Sequence, residues 1–165
     1  LEQAATRTAA LAALPVPNPQ ATPDAGVGAT AARRALRIEG NLPALHRPLL
    51  VQLDGPATIA AGERPWGLAL DSAELVRVSP HNGVDAERLL AQAGARPILV
   101  ISRDTYRRPG ARGLVEQLAA RHPDVVLVEM GWPAAWRPAG LRAYVATYGA
   151  GQANARAAAD ALLPD

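Results

Sequence analysis

Five side chains stand where short apolar runs of this sequence end. Asp54 follows LLVQL, Arg103 and Asp104 follow ILVIS, Glu129 closes VVLVE, and Trp132 comes just after it. Two carboxyl groups brought together can protonate a leaving group and attack or activate water, as on a glycoside, where separations of about 5 Å or roughly 6.5–9.5 Å decide the stereochemical outcome. Trp132, Trp66 or Trp136 could stack on a sugar ring. The simpler reading is that Arg103 and Asp104 form surface ion pairs or cap loops, and that the tryptophans cover the rim of a core. It is the preferred one, so no catalytic residue is assigned. The five side chains are carried as candidates for a substrate rim or an interdomain contact.

Other chemistry is poorly supplied. His46, His81 and His122 each fall in an expected loop or helix terminus, with no second ligand at a helical spacing, and read as solvated turn residues. Ser72, Ser79 and Ser102 lack the glycine elbow of a serine hydrolase. There is no cysteine for a thiolate or a disulfide. Tyr148-Gly149-Ala150-Gly151 follows an expected strand and opens an expected helix, where a phosphate could rest on free N–H groups. It lacks the third glycine at the dinucleotide offset, and a tight strand-to-helix turn is the better reading. No metal and no cofactor are expected.

All 17 basic residues are Arg, and with abundant Ala, Gly and Pro this reads as the codon bias of a GC-rich bacterial genome. The formal net charge is only +2, and the Arg residues are scattered among acids, which argues against a nucleic-acid partner. No apolar run reaches the roughly 18 residues of a membrane span, and no signal pattern opens the chain, so a soluble protein is expected, cytoplasmic in preference to secreted. A first residue Leu1 in place of Met suits a processed or excised fragment.

The positioning elements can be read from periodicity. Residues 1–14 predict a helix with Leu11 and Leu14 on one side, and a Pro-, Gly- and Thr-rich connector completes an interdomain segment 1–30. The folded domain, 31–165, is expected to begin near Ala31. Strands are predicted at 35–39, 49–54, 75–78, 98–102, 125–130 and 144–148. Helices are predicted at 84–93, stopped by Gly94, at 111–121, stopped by His122 and Pro123, and at 152–163, with Ala153, Ala157 and Ala161 as a small-residue seam against a sheet. Runs such as PILVISR and DVVLVEM lack polar alternation, as strands buried on both faces of a parallel sheet require. Alternating strands and helices give an α/β class, a three-layer α/β/α sandwich with a mostly parallel sheet and any ligand groove at the strands' carboxyl ends.

The closing stretch AYVATYGAGQANARAAADALLP, with VVLVEMGWP, VISRDTYRRP and LLVQLDGPATIAAGERPWGLA before it, resembles the carboxyl-terminal domain of bacterial family 3 glycoside hydrolases of the β-N-acetylhexosaminidase (β-N-acetylglucosaminidase) type. The resemblance covers about residues 31–163. It implies an accessory domain beside an amino-terminal (β/α)8 barrel, which in that family holds the Asp nucleophile and a His-containing loop of the type K-H-F-P-G-H-G. This chain has no Lys, no Phe and no His-x-x-x-His. The resemblance therefore implies a barrel as partner, a carbohydrate at the strand-end edge, and hydrolysis of terminal N-acetylglucosamine by a parent enzyme, with this chain inactive by itself. Tyr106 stands where relatives often place a His after the Arg-Asp pair. A free-standing small-molecule or carbohydrate-binding module is the alternative, and a hydrolase using Asp104 and Glu129 is a third.

Overall fold

A computed structural model describes residues 2–14, 25–54, 67–79 and 86–163. Trp66, His81 and the first residues of the helix predicted at 84–93 lie outside the described residues. The elements run α1 (Glu2–Ala12), α2 (Ala25–Ala35), β1 (Arg37–Gly40), β2 (Leu49–Leu53), β3 (Glu74–Val78), α3 (Ala86–Ala93) and β4 (Ile98–Ser102). A short 3-10 turn (Thr105–Arg107), α4 (Pro109–Arg121), β5 (Val125–Glu129), β6 (Ala143–Ala146) and α5 (Gln152–Leu162) follow.

The strands lie in the order β1-β6-β5-β4-β2-β3. All neighbours are parallel except β1, which pairs antiparallel with β6 from Arg37↔Ala146 to Gly40↔Ala143. Every residue of β2, β4, β5 and β6 is buried, as their unbroken apolar sequences require, whereas the edge strands β1 and β3 are largely exposed. Because side chains alternate across a strand, each buried strand feeds two cores. Leu49, Val51, Ile98, Val100, Val125 and Leu127 pack with Leu89 of α3 and Leu114 and Leu118 of α4. Leu50, Leu99, Ile101, Val126, Val128 and Val145 face the other way, onto Ala158 and Leu162 of α5. The three-layer α/β/α sandwich is therefore present.

Helix ends follow their signals. Gly94 takes φ +59 and donates to Leu90 O at 2.9 Å, ending α3 in the left-handed conformation that glycine adopts without strain. Pro109 opens α4, where its missing N–H costs nothing, so this helix starts two residues before the expected 111.

Four expectations need correction. First, α2 stands where the connector and a boundary near Ala31 were expected; it lies alongside α5, with Ala32 buried and Leu36 packed on the α5-side core. Its apolar signal is little more than alanine and Leu36, and Gly and Thr disguise it as linker. Second, the strand expected at 35–39 begins at Arg37, because α2 continues to Ala35. Third, the α5 residues in the core on that face of the sheet are Ala155, Ala158, Ala159 and Leu162; of the expected seam 153, 157, 161, Ala157 is buried while Ala153 and Ala161 are only partly so. Fourth, His122 is a buried residue, not a solvated one: its Nδ1 accepts from Asp124 N at 3.2 Å and its Nε2 lies 3.2 Å from Gly94 O. His46 is exposed, as expected.

Candidate functional site

The chain leaves β2 toward β3 on one side, then crosses through α3 to β4 on the other. The carboxyl ends of β2 and β4 thus flank the point where the winding reverses, which in open α/β sheets is where ligands bind. Asp54 follows β2, Arg103 and Asp104 follow β4, Glu129 ends β5, and Trp132 lies in the loop after it. The shared strand direction brings all five to one edge of the sheet.

Glu129 organises that edge from beneath. It is 2% exposed, and both carboxylate oxygens are occupied. Oε1 accepts from Asp104 N at 2.7 Å and Gly131 N at 2.8 Å; Oε2 accepts from Thr105 N at 3.0 Å and Thr105 Oγ1 at 2.7 Å. Backbone N–H groups aimed at a buried carboxylate replace the water it gives up. The same residue's carbonyl accepts from Thr147 N at 3.1 Å and Thr147 Oγ1 at 3.3 Å. Glu129 therefore ties the loop after β4 and the turn after β6 to the end of β5. Its expected place on a substrate rim is corrected: the carboxylate lies under the loops.

Asp104 adopts φ +51, left-handed, and its Oδ1 accepts from Trp132 N at 3.1 Å. A Cβ on Gly131 would fall 2.6 Å from Asp104 N, so glycine is needed for this close approach. Each acid of the Asp104–Glu129 pair is thus engaged in holding a neighbouring backbone. A carboxylate that receives four donors has no lone pair placed to take a substrate proton. Arg103 is exposed and has an interaction partner of its own.

Arg108, the residue before Pro109, supplies the cation that the sequence reading overlooked. Its Nη1 donates to Asp54 O at 3.2 Å and its Nη2 to Ser102 Oγ at 2.7 Å, so one guanidinium spans the ends of β2 and β4. Its Nε is buried without a hydrogen-bond partner among the described residues. Burial pushes the guanidinium below its ordinary value, and the charges of Glu129, Asp104 and Asp54 oppose that shift. The Arg-Pro step after a strand that ends in Ser-Arg-Asp was the available signal.

Beyond Glu129, the aromatic residues divide. Trp132 is 70% exposed and meets Tyr148, 48% exposed, with ring centroids 6.3 Å apart and planes at 86°. Tyr148 takes φ +55 in the tight turn the sequence favoured. Thr147 Oγ1 bonds Gly149 O at 2.7 Å, and Asn154 Nδ2 bonds Thr147 O at 2.8 Å, fixing that turn. Trp136 packs against the α4-side core and donates from Nε1 to Glu116 at 3.2 Å, so it belongs to the core rim. Tyr144 is buried under the Arg137 guanidinium, 3.4 Å from its ring centroid, and Arg137 also holds Glu39 through two bonds of 2.8 and 2.9 Å. Burial, reinforced by the charge of Glu129, pushes the Tyr144 phenol up to about 12.

A shallow cavity of about 360 Å³ lies between Gly67 and Ala69 and the first turns of α5, at Ala150, Gln152, Ala155, Arg156 and Ala159. Among the described residues, no group of three or more His, Cys, Asp or Glu side chains converges as metal ligands, and no helix is long and apolar enough to cross a membrane.

No family model matches the sequence, and no curated protein matches it. Among solved structures, the chain is similar to a family 3 glycoside hydrolase, the β-N-acetylglucosaminidase of Paenibacillus sp. str. FPU-7. The TM-score is 0.59 at 16% identity, over 81% of this chain and 29% of that one. It is also similar to a fungal multi-domain β-N-acetylglucosaminidase of the same family, with TM-score 0.54 at 12% identity, over 80% of this chain and 17% of that one. The chain thus has the fold of a part of these larger enzymes.

Proposed function

We propose that this chain is the carboxyl-terminal accessory domain of a bacterial family 3 glycoside hydrolase whose parent enzyme removes terminal β-linked N-acetylglucosamine. In this reading the carboxyl edge faces an amino-terminal (β/α)8 barrel that carries the catalytic groups. The observation that carries the accessory role is the state of Glu129: its buried carboxylate is filled by four donors and serves the loops, so it is not placed to act as one of the two acids that glycoside hydrolysis needs. Likeness in fold to a fraction of two β-N-acetylglucosaminidases supports the choice of parent and substrate.

The test compares hydrolysis of an aryl β-N-acetylglucosaminide by the purified chain and by the product of the complete open reading frame. The expected result is turnover by the complete product and none by the chain. Turnover by the chain that disappears in Asp104→Asn or Glu129→Gln overturns the accessory reading. A reading frame with no barrel ahead of residue 1 overturns the parent. A free-standing carbohydrate-binding module is the second reading, favoured by the exposed Trp132–Tyr148 pair.

A further inference from the structure

The cavity beside α5 is bounded by residues that stop short of one another. Leu68 and Leu70 are buried in the α5-side core and pin the segment that leads to β3, while Gly67 and Ala69, alternating with them in sequence, line the cavity. Gly67 takes φ +123, and a Cβ on it would run into the side-chain amide of buried Gln52, so this wall accepts glycine alone. Across the gap, Gln152, Ala155, Arg156 and Ala159 follow the i, i+3, i+4, i+7 spacing of one helix face. A longer apolar side chain at 69, 155 or 159 would bury surface that alanine leaves in water, so folding alone does not favour the gap. Its volume of about 360 Å³, and its apolar walls with a few polar groups, are those of a small-molecule site.

We propose that this cavity binds a small organic oxyanion, a carboxylate or phosphate carried on an apolar body. Arg156 lines it, is exposed, and has no ion-pair or hydrogen-bond partner among the described residues, so its guanidinium is available for a bidentate bond to an oxyanion. Arg96, Arg112, Arg121, Arg137 and Arg142, by contrast, each hold an acid. No acid lines the cavity, and Asp160 of α5 lies outside its lining. The charge at this end of α5 has one sign. β1 opens with Arg37 paired to Ala146, at the end of β6 from which the chain turns into α5, and α2 lies alongside α5. The last turn of α2, with Arg33 and Arg34, therefore comes to the end of the sheet where α5 begins, and both side chains are exposed without an acidic partner among the described residues. Glycine and alanine walls offer no side-chain donor or acceptor to the hydroxyls of a sugar, so the body of the ligand is apolar. The inference rests on α5 and the segment before β3, and not on the function proposed above.

The experiment is a titration of the isotope-labelled chain with benzoate and, separately, phenyl phosphate, followed by the amides of residues 67, 69, 152, 155 and 159 in nuclear magnetic resonance. Benzyl alcohol supplies the ring without the charge, and inorganic phosphate supplies the charge without the ring. Expected are saturating shifts with a millimolar dissociation constant for at least one aryl anion, the tighter of the two naming the head group. Benzyl alcohol and inorganic phosphate should each bind about fivefold more weakly or worse. Arg156→Gln and Ala69→Leu alter exposed positions and should keep a native spectrum. The first should weaken the aryl anions about fivefold and leave benzyl alcohol unchanged, and the second should weaken both. No saturable shift with either aryl anion at roughly 50 mM, or unchanged affinity in Arg156→Gln, overturns the proposal. Inorganic phosphate binding as tightly as phenyl phosphate reduces the site to surface charge and also overturns it. Benzyl alcohol binding as tightly as the anions removes the role of Arg156 and does the same.

Discussion

Glu129→Gln changes one oxygen to an NH2 group and leaves size and shape almost constant, so its effect isolates the carboxylate. The amide must point its nitrogen at one of two donor pairs. Toward Asp104 N and Gly131 N it would face two N–H groups that cannot reorient. Toward Thr105 it faces one fixed N–H and one hydroxyl, and the hydroxyl can rotate to accept. The second orientation wins, leaving one buried N–H, that of Thr105, without a partner and two charge-assisted bonds reduced to neutral ones. An orphaned buried group costs about 1–3 kcal/mol, and each charge-assisted bond is roughly twice as strong as a neutral one. Removing the negative charge beside half-buried Arg108 adds to the loss. The sum is about 3 kcal/mol, or roughly 6–12 °C for a chain of this size. Urea unfolding followed by circular dichroism should show a lowered midpoint at an unchanged slope. Thr105→Val alone should cost about 1–2 kcal/mol. A Glu129→Gln variant within about 0.5 kcal/mol of the unaltered chain would refute the four-donor description, because most surface substitutions fall inside that window.

Arg108→Met keeps the apolar stem and removes both bonds across the ends of β2 and β4, leaving Asp54, Asp104 and Glu129 without their shared cation; chemical denaturation should show a loss of about 1–3 kcal/mol, smaller in high salt. Tyr144 has its phenol raised to about 12, so the folded chain holds that proton where the unfolded chain, near 10, has lost it. The stabilisation is therefore complete below pH 10 and lost as pH rises through 12. Phenolate absorbance should show a step near 12 that Tyr144→Phe removes. Gly94→Ala and Gly140→Ala both place a side chain at positive φ, but only the second drives a Cβ into backbone, the Ala119 carbonyl. Thermal melts should show a loss of roughly 1–2 kcal/mol for Gly94→Ala and a distinctly larger one for Gly140→Ala.

What could be read in advance follows from which signals are local. The unbroken runs LLVQL, ILVIS and VVLVE have one physical solution, burial on both faces of a parallel sheet, and their common direction was enough to gather Asp54, Arg103, Asp104, Glu129 and Trp132 at one edge. Gly94 and the His122-Pro123 step punctuate by backbone geometry, so the ends of α3 and α4 fell where expected, while the start of α4, at the unread Pro109, came two residues early. The antiparallel edge β1 carries no such signal, since its residues are exposed, and α2 before it is hidden in an Ala-, Gly- and Thr-rich stretch. Burial of individual polar groups was likewise illegible. Whether Glu129 sits on the rim or below it depends on loops folding back from residues 25 positions earlier, and the Arg108 bridge spans 54 positions. Such pairings are decided by tertiary packing, which no periodicity records.

The two left-handed non-glycine residues of this edge, Asp104 and Tyr148, flank one strand end, and Glu129 reaches both by different means. Its side chain binds Asp104 and Thr105 on the β4 side, and its carbonyl binds Thr147 on the β6 side. Loss of the carboxylate alone therefore relaxes the loop that presents Trp132, while the turn presenting Tyr148 keeps its main-chain bond and the Asn154 brace. A catalytic acid behaves otherwise, because its removal leaves neighbouring backbone in place and abolishes a proton transfer. The geometry of this edge is thus that of a platform in which the Glu129 charge holds shape: its carboxylate braces the loop after β4 and its carbonyl braces the turn after β6.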